Sequence, residues 1–317
     1  MQNIRVSNFV EVKRMSIKTS RVQGTAHVTI EHDRCIGCGR CVQVCCGAPL
    51  YMEDGKVQVD QTRLFGCIAC GQCVAVCPQD CILVTGRDLS SQDKLDLGQP
   101  ENRSSYEHLY SLMLGRRSIR RFSNRDVEQI IIDKILDAAA TAPMGIPPSD
   151  VEVLVLEGRK KVREFSDDAA QFIQKCKWFF SPPMLMLQRP FVGKEACELS
   201  KSFVKPMISF LAEGRERGED WLMYDAPLAM LFQGSSYADP ADSYIAATYA
   251  MLAAQSLGLG SCMIGSIAPF IKQSRAIKEK YGISSKMPHG LVVVFGYSEI
   301  EYRRGIKRRF AKVSFCR

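Results

Sequence analysis

The chain has 317 residues, 46% of them hydrophobic and 24% charged, with a formal net charge of +8. Its length exceeds the usual single domain and its composition is ordinary for a soluble globular protein, so two domains are expected, at least one with a substantial core. No apolar run approaches the length of a membrane span, and the opening "MQNIRVSNFVEVKRMSIKTSRVQ" lacks an unbroken apolar stretch of signal-peptide length, so a cytoplasmic protein with no membrane partner is expected.

Residues 1–25 form an N-terminal extension to which no element is assigned; it carries Arg5, Lys13, Arg14, Lys18 and Arg21. The next stretch holds most of the 14 cysteines in two tight clusters. Clusters of this kind argue for metal ligation in a reducing compartment rather than for disulfides between distant strands. The first reads "CIGCGRCVQVC" and places Cys35, Cys38, Cys41 and Cys45; the second reads "CIACGQCVAVCP" and places Cys67, Cys70, Cys73 and Cys77. Both follow C-x2-C-x2-C-x3-C, the iron–sulfur run in which the fourth cysteine ligates the other run's cluster. That rule assigns Cys35, Cys38, Cys41 and Cys77 to one 4Fe–4S cluster, and Cys67, Cys70, Cys73 and Cys45 to the other. Three thiolates can cap one cubane only if the backbone between them turns tightly, which accounts for Gly37, Gly39 and Gly71. Zinc prefers two-plus-two cysteine spacing, which these runs fit poorly.

The near-identity of the runs marks an internal duplication. Residues 26–86, opening with "AHVTIEHDRCIGCGRC", resemble a bacterial two-cluster ferredoxin. The runs differ in one respect: Pro78 follows the second, where Cys46 follows the first. Cys46 is an alternative ligand or a small buried residue, and Cys81 reads as a small buried residue.

Residues 87–105, "RDLSSQDKLDLGQPENRSS" and its neighbours, are polar with no sustained apolar period and read as a linker. From Tyr106 the pattern changes. "YEHLYSLML" has apolar residues at helical spacing, "VEQIIIDKILDAAATAP" is an amphipathic helix stopped by Pro143, and "VEVLVLEG" reads as a buried strand. Later come the small-residue helix "DSYIAATYAMLAAQSLGLG" and the strand "GLVVVFGYS". Helices alternating with a few strands give an α+β layered domain over residues 106–317.

Between the first two helices stands "RRSIRRF", four arginines in seven residues, whose guanidinium forks suit phosphate or carboxylate oxygens. A short helix, R-R-S-x-R-x-F and a helix ending in A-P resemble the start of the nitroreductase family of FMN-dependent oxidoreductases. "GLGSCMIG" at 258–265, "HGLVVVFGYS" at 289–298 and "YRRGIKRR" at 302–309 continue the resemblance in the same order. It implies an α+β flavin domain with a central sheet flanked by helices, in an intertwined homodimer with FMN at the subunit interface. It also implies that Arg116, Arg117, Ser118 and Arg120, with Arg304 and Arg308 of the tail, hold the FMN phosphate and ribityl chain. Met263, Ile264 and Gly265 fall where the family places a backbone amide near flavin N5. The loop after the second helix departs from the family: relatives read A-P-S-x-x-N-x-Q-P-W, whereas this chain reads "APMGIPPSDV". Pro143 aligns, and flavin contacts from Met144 and Gly145 would be apolar or through backbone. Arg121 and Arg125 match no motif position and read as solvated or helix-flanking charges.

Two clusters and FMN would bring the net charge to about +2, which removes most of the reason to expect nucleic acid. No basic motif of the usual nucleic-acid modules appears either. The cysteine runs and the nitroreductase resemblance together imply an iron–sulfur flavoenzyme. Electrons pass from two 4Fe–4S clusters to FMN and on to a small conjugated acceptor such as a nitroaromatic, quinone or activated alkene. A reduced ferredoxin or NAD(P)H is the donor, and residues 1–25 are either a docking segment for an acidic ferredoxin or a loose arm. The other reading is an electron-transfer protein whose FMN converts one-electron to two-electron traffic for a partner enzyme. Trp178, Phe179, Phe180, Trp221 and Tyr224 read as core aromatics rather than pocket walls.

Overall fold

The computed structural model describes residues 21–284 and 289–316. The basic residues Arg5, Lys13, Arg14 and Lys18 of the N-terminal extension lie outside them. Two compact units are present. One holds the described residues up to Asn102 together with Met144–Asp150, and the other holds Arg103–Pro143 together with the described residues from Val151 onward.

In the first unit β1 (His27–Ile30) pairs antiparallel with β4 (Ile82–Thr85), and β2 (Leu50–Glu53) pairs with β3 (Lys56–Val59). The β2–β3 hairpin turns on Asp54-Gly55, both at positive φ (48° and 74°), the geometry a tight two-residue turn between twisted strands requires. Two short helices, α1 (Arg40–Gln43) and α2 (Gln72–Val76), each start from a left-handed glycine, Gly39 at φ 71° and Gly71 at φ 72°. These glycines reverse the chain between neighbouring cysteines in a left-handed conformation that a residue with a Cβ would adopt only under strain. The core is small and partly thiol: Cys41, Cys73 and Cys81 pack with Leu50, Val57, Ile82 and Val84.

The second unit is built on a four-stranded antiparallel sheet made of β5 (Val151–Glu157), β6 (Leu228–Gly234), β7 (Gly260–Ile264) and β8 (His289–Gly296), in the order β5-β6-β8-β7. Side chains alternate across the two central strands. Leu228, Met230 and Phe232, with Leu291, Val293 and Phe295, meet α4 (Gln129–Ala140) and α9 (Asp242–Ser256) on one face. Ala229, Leu231, Val292 and Val294 face the other side, where α5 (Arg159–Lys175) and α8 (Lys205–Glu216), which follows α6 (Pro182–Val192) and α7 (Lys194–Leu199) in the chain, bring Val162, Phe165, Ile173 and Ile208. Because β6 and β8 are covered on both faces, they read as unbroken apolar runs. Helix α9 lays Ala246, Ala247, Ala250 and Ala254 into its buried side, and those small side chains let it pack closely against the sheet and α4.

Two sequence expectations change here. "VEVLVLEG" forms β5, but as an edge strand that is only half-buried. Trp178 and Phe179 stack on each other at 3.9 Å between ring centroids, yet Trp178 is 55% exposed; of that trio only Phe180 packs on the core. Among the described residues no helix is long and apolar enough to cross a membrane.

Candidate functional site

The turns of the first unit gather the eight motif cysteines into two separate cavities. One, of ≈ 340 Å³, is lined by Cys35, Cys38, Cys41 and Cys77, walled by Ile30, Val57 and Ile82. The other, of ≈ 350 Å³, is lined by Cys45, Cys67, Cys70 and Cys73, walled by Val28 and Leu50. Each cavity thus takes three cysteines from one run and the fourth from the other run. Cys81 lines the first cavity as well, and Cys46 the second.

Among the described residues no three His, Cys, Asp or Glu side chains converge as they would on a single metal ion. A cubane, in contrast, has a separate iron for each thiolate, and four cysteines spread around a walled cavity suit that chemistry. Burial raises the thiols of Cys41, Cys67, Cys70 and Cys73, the last to about 12. Iron must therefore displace a proton at each of them. Cys77 moves the other way: burial opposes ionisation there, but hydrogen bonds from the backbone and side chain of Cys81, with those from the Gln79 and Asp80 backbone, outweigh it.

In the second unit the arginine segment follows α3 (Tyr106–Gly115), which Ser105 caps by accepting the His108 N–H. The chain then runs extended beside β7. Ser118 bridges Ser261 in parallel, and the Ile119 N–H donates to the Ser261 carbonyl at 3.0 Å. Ile119 and Phe122 are 5% exposed and fix the segment into the core. On its other side Phe122 bridges Ser298, and the Ser123 N–H donates to the Tyr297 carbonyl at 2.8 Å, which returns the chain after β8 to the same place.

That return closes an open cleft of ≈ 1250 Å³. Its cationic side is Arg116, Arg117 and Arg120 with Lys307 and Arg308 of the tail, and Ser118 adds a hydroxyl. The apolar side is Tyr110, Met113 and Leu114 of α3 with Tyr302 and Ile306. Gly305 is what lets the tail lie on the helix, since a Cβ there would stand 2.4 Å from Leu114 Cγ. Beside Ser118, the Ser261 hydroxyl is buried with no hydrogen-bond partner.

Arg120 also lies 5.8 Å from the centroid of the Tyr224 ring. Burial raises both the Tyr224 hydroxyl and the Cys262 thiol, and Arg120 pulls each back. Tyr224 and Asp225 are consecutive left-handed residues (φ 58° and 50°). The buried Asp220 carboxylate holds that turn, accepting the N–H of Leu222, Met223 and Asp225 and the Ser166 hydroxyl at 2.6 Å.

Arg304 does not line the cleft, whereas Lys307 does. Met263, Ile264 and Gly265 close β7 beyond Ser261; Met263 is 42% exposed and Ile264 is buried. Pro143 ends its stretch of the second unit, and Met144 and Gly145 belong to the first unit. Arg121 pairs with Glu299 at 3.6 Å, and Arg125 pairs with Glu128 and sits 3.9 Å from the Tyr297 ring centroid, so both are engaged outside the cleft. Sequence reasoning missed Tyr110, Met113 and Leu114, although their i, i+3, i+4 spacing marks one apolar helix face.

A nitroreductase family model matches residues 113–297, and a 4Fe-4S dicluster domain model matches residues 27–79. No curated protein matches the chain. Among solved structures, a nitroreductase with bound FMN from Bacteroides fragilis is 18% identical, covering 68% of this chain and 100% of its own, with a TM-score of 0.47. A nitroreductase with bound FMN from Desulfitobacterium hafniense is 17% identical over 66% of this chain and 98% of its own, with a TM-score of 0.48. An FMN-dependent nitroreductase from Clostridium difficile is 23% identical over 64% of this chain and 99% of its own, with a TM-score of 0.41.

Proposed function

This chain belongs to the nitroreductase family and carries a 4Fe-4S dicluster domain, and on that premise we propose that it is an iron–sulfur flavoenzyme. It passes electrons from two 4Fe–4S clusters to FMN and on to a small conjugated acceptor, with a nitroaromatic, a quinone and an activated alkene as the acceptor classes. FMN, when bound, supplies the chemistry that converts single electrons into a pair delivered as a hydride equivalent. The donor is a reduced ferredoxin or NAD(P)H, and the working form is a homodimer.

The observation that carries the reading is the cleft, in which five cations and a hydroxyl face an apolar wall. That polarity matches a molecule with a phosphate dianion at one end and a flat apolar ring at the other. Arg116, Arg117, Arg120, Lys307 and Arg308 neutralise the phosphate through charge-assisted hydrogen bonds, and Ser118 donates to it or to the ribityl chain. Tyr110, Met113, Leu114, Tyr302 and Ile306 exclude water from the ring. The backbone N–H groups of Ile264 and Gly265, carried over from the family's pattern, favour negative charge at flavin N5. Cys35, Cys38, Cys41 and Cys77 hold one cluster, and Cys45, Cys67, Cys70 and Cys73 hold the other.

The test is anaerobic purification with iron, sulfide and acid-released flavin counted per chain, followed by spectra during addition of reduced ferredoxin or NAD(P)H. About eight irons and one FMN per chain, all bleaching with one donor and recovering with a nitroaromatic or quinone, is the expected result. Iron without flavin, or a flavin that no small acceptor reoxidises, would overturn it and leave the electron carrier.

A further inference from the structure

Each cysteine cavity contains one cysteine that the four-residue spacing does not use, Cys81 in the first and Cys46 in the second. The two are not alike. Cys46 is exposed, whereas Cys81 is 4% exposed and packs within the core of the unit. Its sulfur lies 3.5 Å from the sulfur of Cys77, and its backbone N–H points at that same sulfur with an N···S distance of 3.5 Å. The backbone N–H and the thiol of a single residue therefore converge on one sulfur.

The internal duplication provides a comparison within the molecule. After the fourth cysteine of each run the chain makes the same turn. In the first run the Ala48 N–H donates to the Cys45 carbonyl at 3.3 Å, with Ala48 at φ 54°; in the second the Asp80 N–H donates to the Cys77 carbonyl at 3.3 Å, with Asp80 at φ 49°. The residue after that turn accepts a backbone N–H in both cases, from Asp60 to Pro49 at 2.8 Å and from Glu31 to Cys81 at 2.9 Å. Pro49 and Cys81 thus occupy equivalent positions. Proline has neither a backbone N–H nor a side-chain donor. The sulfur of Cys45 consequently lacks, at this position, both of the donors that Cys81 presents to Cys77.

On the reading that Cys77 ligates iron as a thiolate, we infer that Cys81 is a tuning residue for the cluster of Cys35, Cys38, Cys41 and Cys77: its thiol donates a hydrogen bond to the Cys77 sulfur and raises that cluster's reduction potential. A ligand sulfur that accepts hydrogen bonds spreads charge onto the donors, which favours the more negative reduced cluster, and such bonds are among the factors that set cluster potentials. Because the equivalent position beside Cys45 is a proline, the effect falls on one cluster and separates the two in potential. A duplicated module is in this way made directional by a single unduplicated side chain.

The test is a redox titration of the anaerobically purified holoprotein, with the reduced clusters followed by electron paramagnetic resonance. It compares wild type with Cys81→Ala, Cys81→Val, Cys81→Ser and Cys46→Ala, with iron and sulfide counted in every sample. Valine fills the space that alanine leaves empty, so one of the two donor-free variants remains informative if the other assembles poorly. Both are expected to shift one cluster to a more negative potential and leave the other in place. Serine keeps a donor and stays closer to wild type, and Cys46→Ala moves neither in that pattern. Full iron content with unchanged potentials in both donor-free variants, or an equal shift of both clusters, would overturn the inference. A wild-type protein without iron would remove the cluster reading itself, and the iron count separates that failure from the others.

Discussion

Gly260 lies directly against the side chain of Ile119, so closely that a Cβ at position 260 would stand 2.3 Å from Ile119 Cγ1. The contact seats the arginine segment on β7, beside the hydrogen bond from the Ile119 N–H to the Ser261 carbonyl. Ile119 belongs to the buried core, so it has little room to give way.

Gly260→Ala is therefore expected to destabilise the second unit by about 1–3 kcal/mol, the usual cost of overpacking, and to reduce retained flavin. Denaturant unfolding together with acid-released flavin checks this. Gly265→Ala serves as the stability control, because a Cβ there would meet nothing within 4 Å. Equal unfolding midpoints for the two variants would mean that the Ile119 contact does not constrain the fold.

The cleft predicts an order among the basic residues. Arg117→Gln and Lys307→Ala each remove a charge from its lining and are expected to weaken FMN binding by about 10- to 150-fold, the range for losing one hydrogen bond to a charged group. Arg121→Gln is expected to change it less than about twofold, because Arg121 is paired with Glu299 away from the cleft. Quenching of FMN fluorescence on addition of apoprotein gives the constants, and a loss at Arg121 as large as at Lys307 would contradict the arrangement.

Cys45 belongs by sequence to the first run but by position to the cavity of Cys67, Cys70 and Cys73. Cys45→Ser is accordingly expected to disturb the second run's cluster while the other keeps its irons, leaving about four to eight irons per chain according to how well serine substitutes. Resonance spectra decide the matter by showing which cluster signal changes. Perturbation of the cluster held by Cys35, Cys38 and Cys41 would refute the crossed assignment.

Glu128 gives a pH dependence with a definite sign. Its carboxylate accepts from Arg125 at 2.5 Å and from the Tyr297 hydroxyl at 2.7 Å, and these bonds, with Arg125 the larger influence, lower it from 4.5 to about 2. A depressed carboxylate stabilises the fold above its unfolded value and loses that contribution as pH falls toward its folded value. The stability difference between wild type and Glu128→Gln is expected to be steady near neutrality and to shrink as pH falls below about 4.5. Urea midpoints at a series of pH values measure it; a difference that grows on acidification would show that the pairing is not made in solution.

Legibility in the sequence followed how local each constraint is. The cysteine spacing could be read because a cubane and a tight turn both act over a few residues, and Gly39 and Gly71 adopt the left-handed conformation that spacing demands. Strand β8 was legible as an apolar run because helices cover both its faces. The edge position of β5 was not, since pairing with β6 on one side and with no strand on the other is a tertiary choice that no single segment encodes. Helix α5 was legible in principle from Val162, Phe165, Ala169 and Ile173, but its many charges concealed that period. The presence of Lys307 rather than Arg304 in the cleft depends on Gly305 resting on Leu114, a contact between distant parts of the chain.

The tail that closes the cleft has no regular secondary structure and is translated after every strand of the sheet. A nascent chain therefore exposes Arg116, Arg117 and Arg120 long before Lys307 and Arg308 exist to complete the anion site. If flavin is held as proposed, tight loading cannot precede synthesis of residues 302–308. The cofactor then acts as a late lock on the second unit, and a chain cut short just after β8 keeps its core yet remains without one.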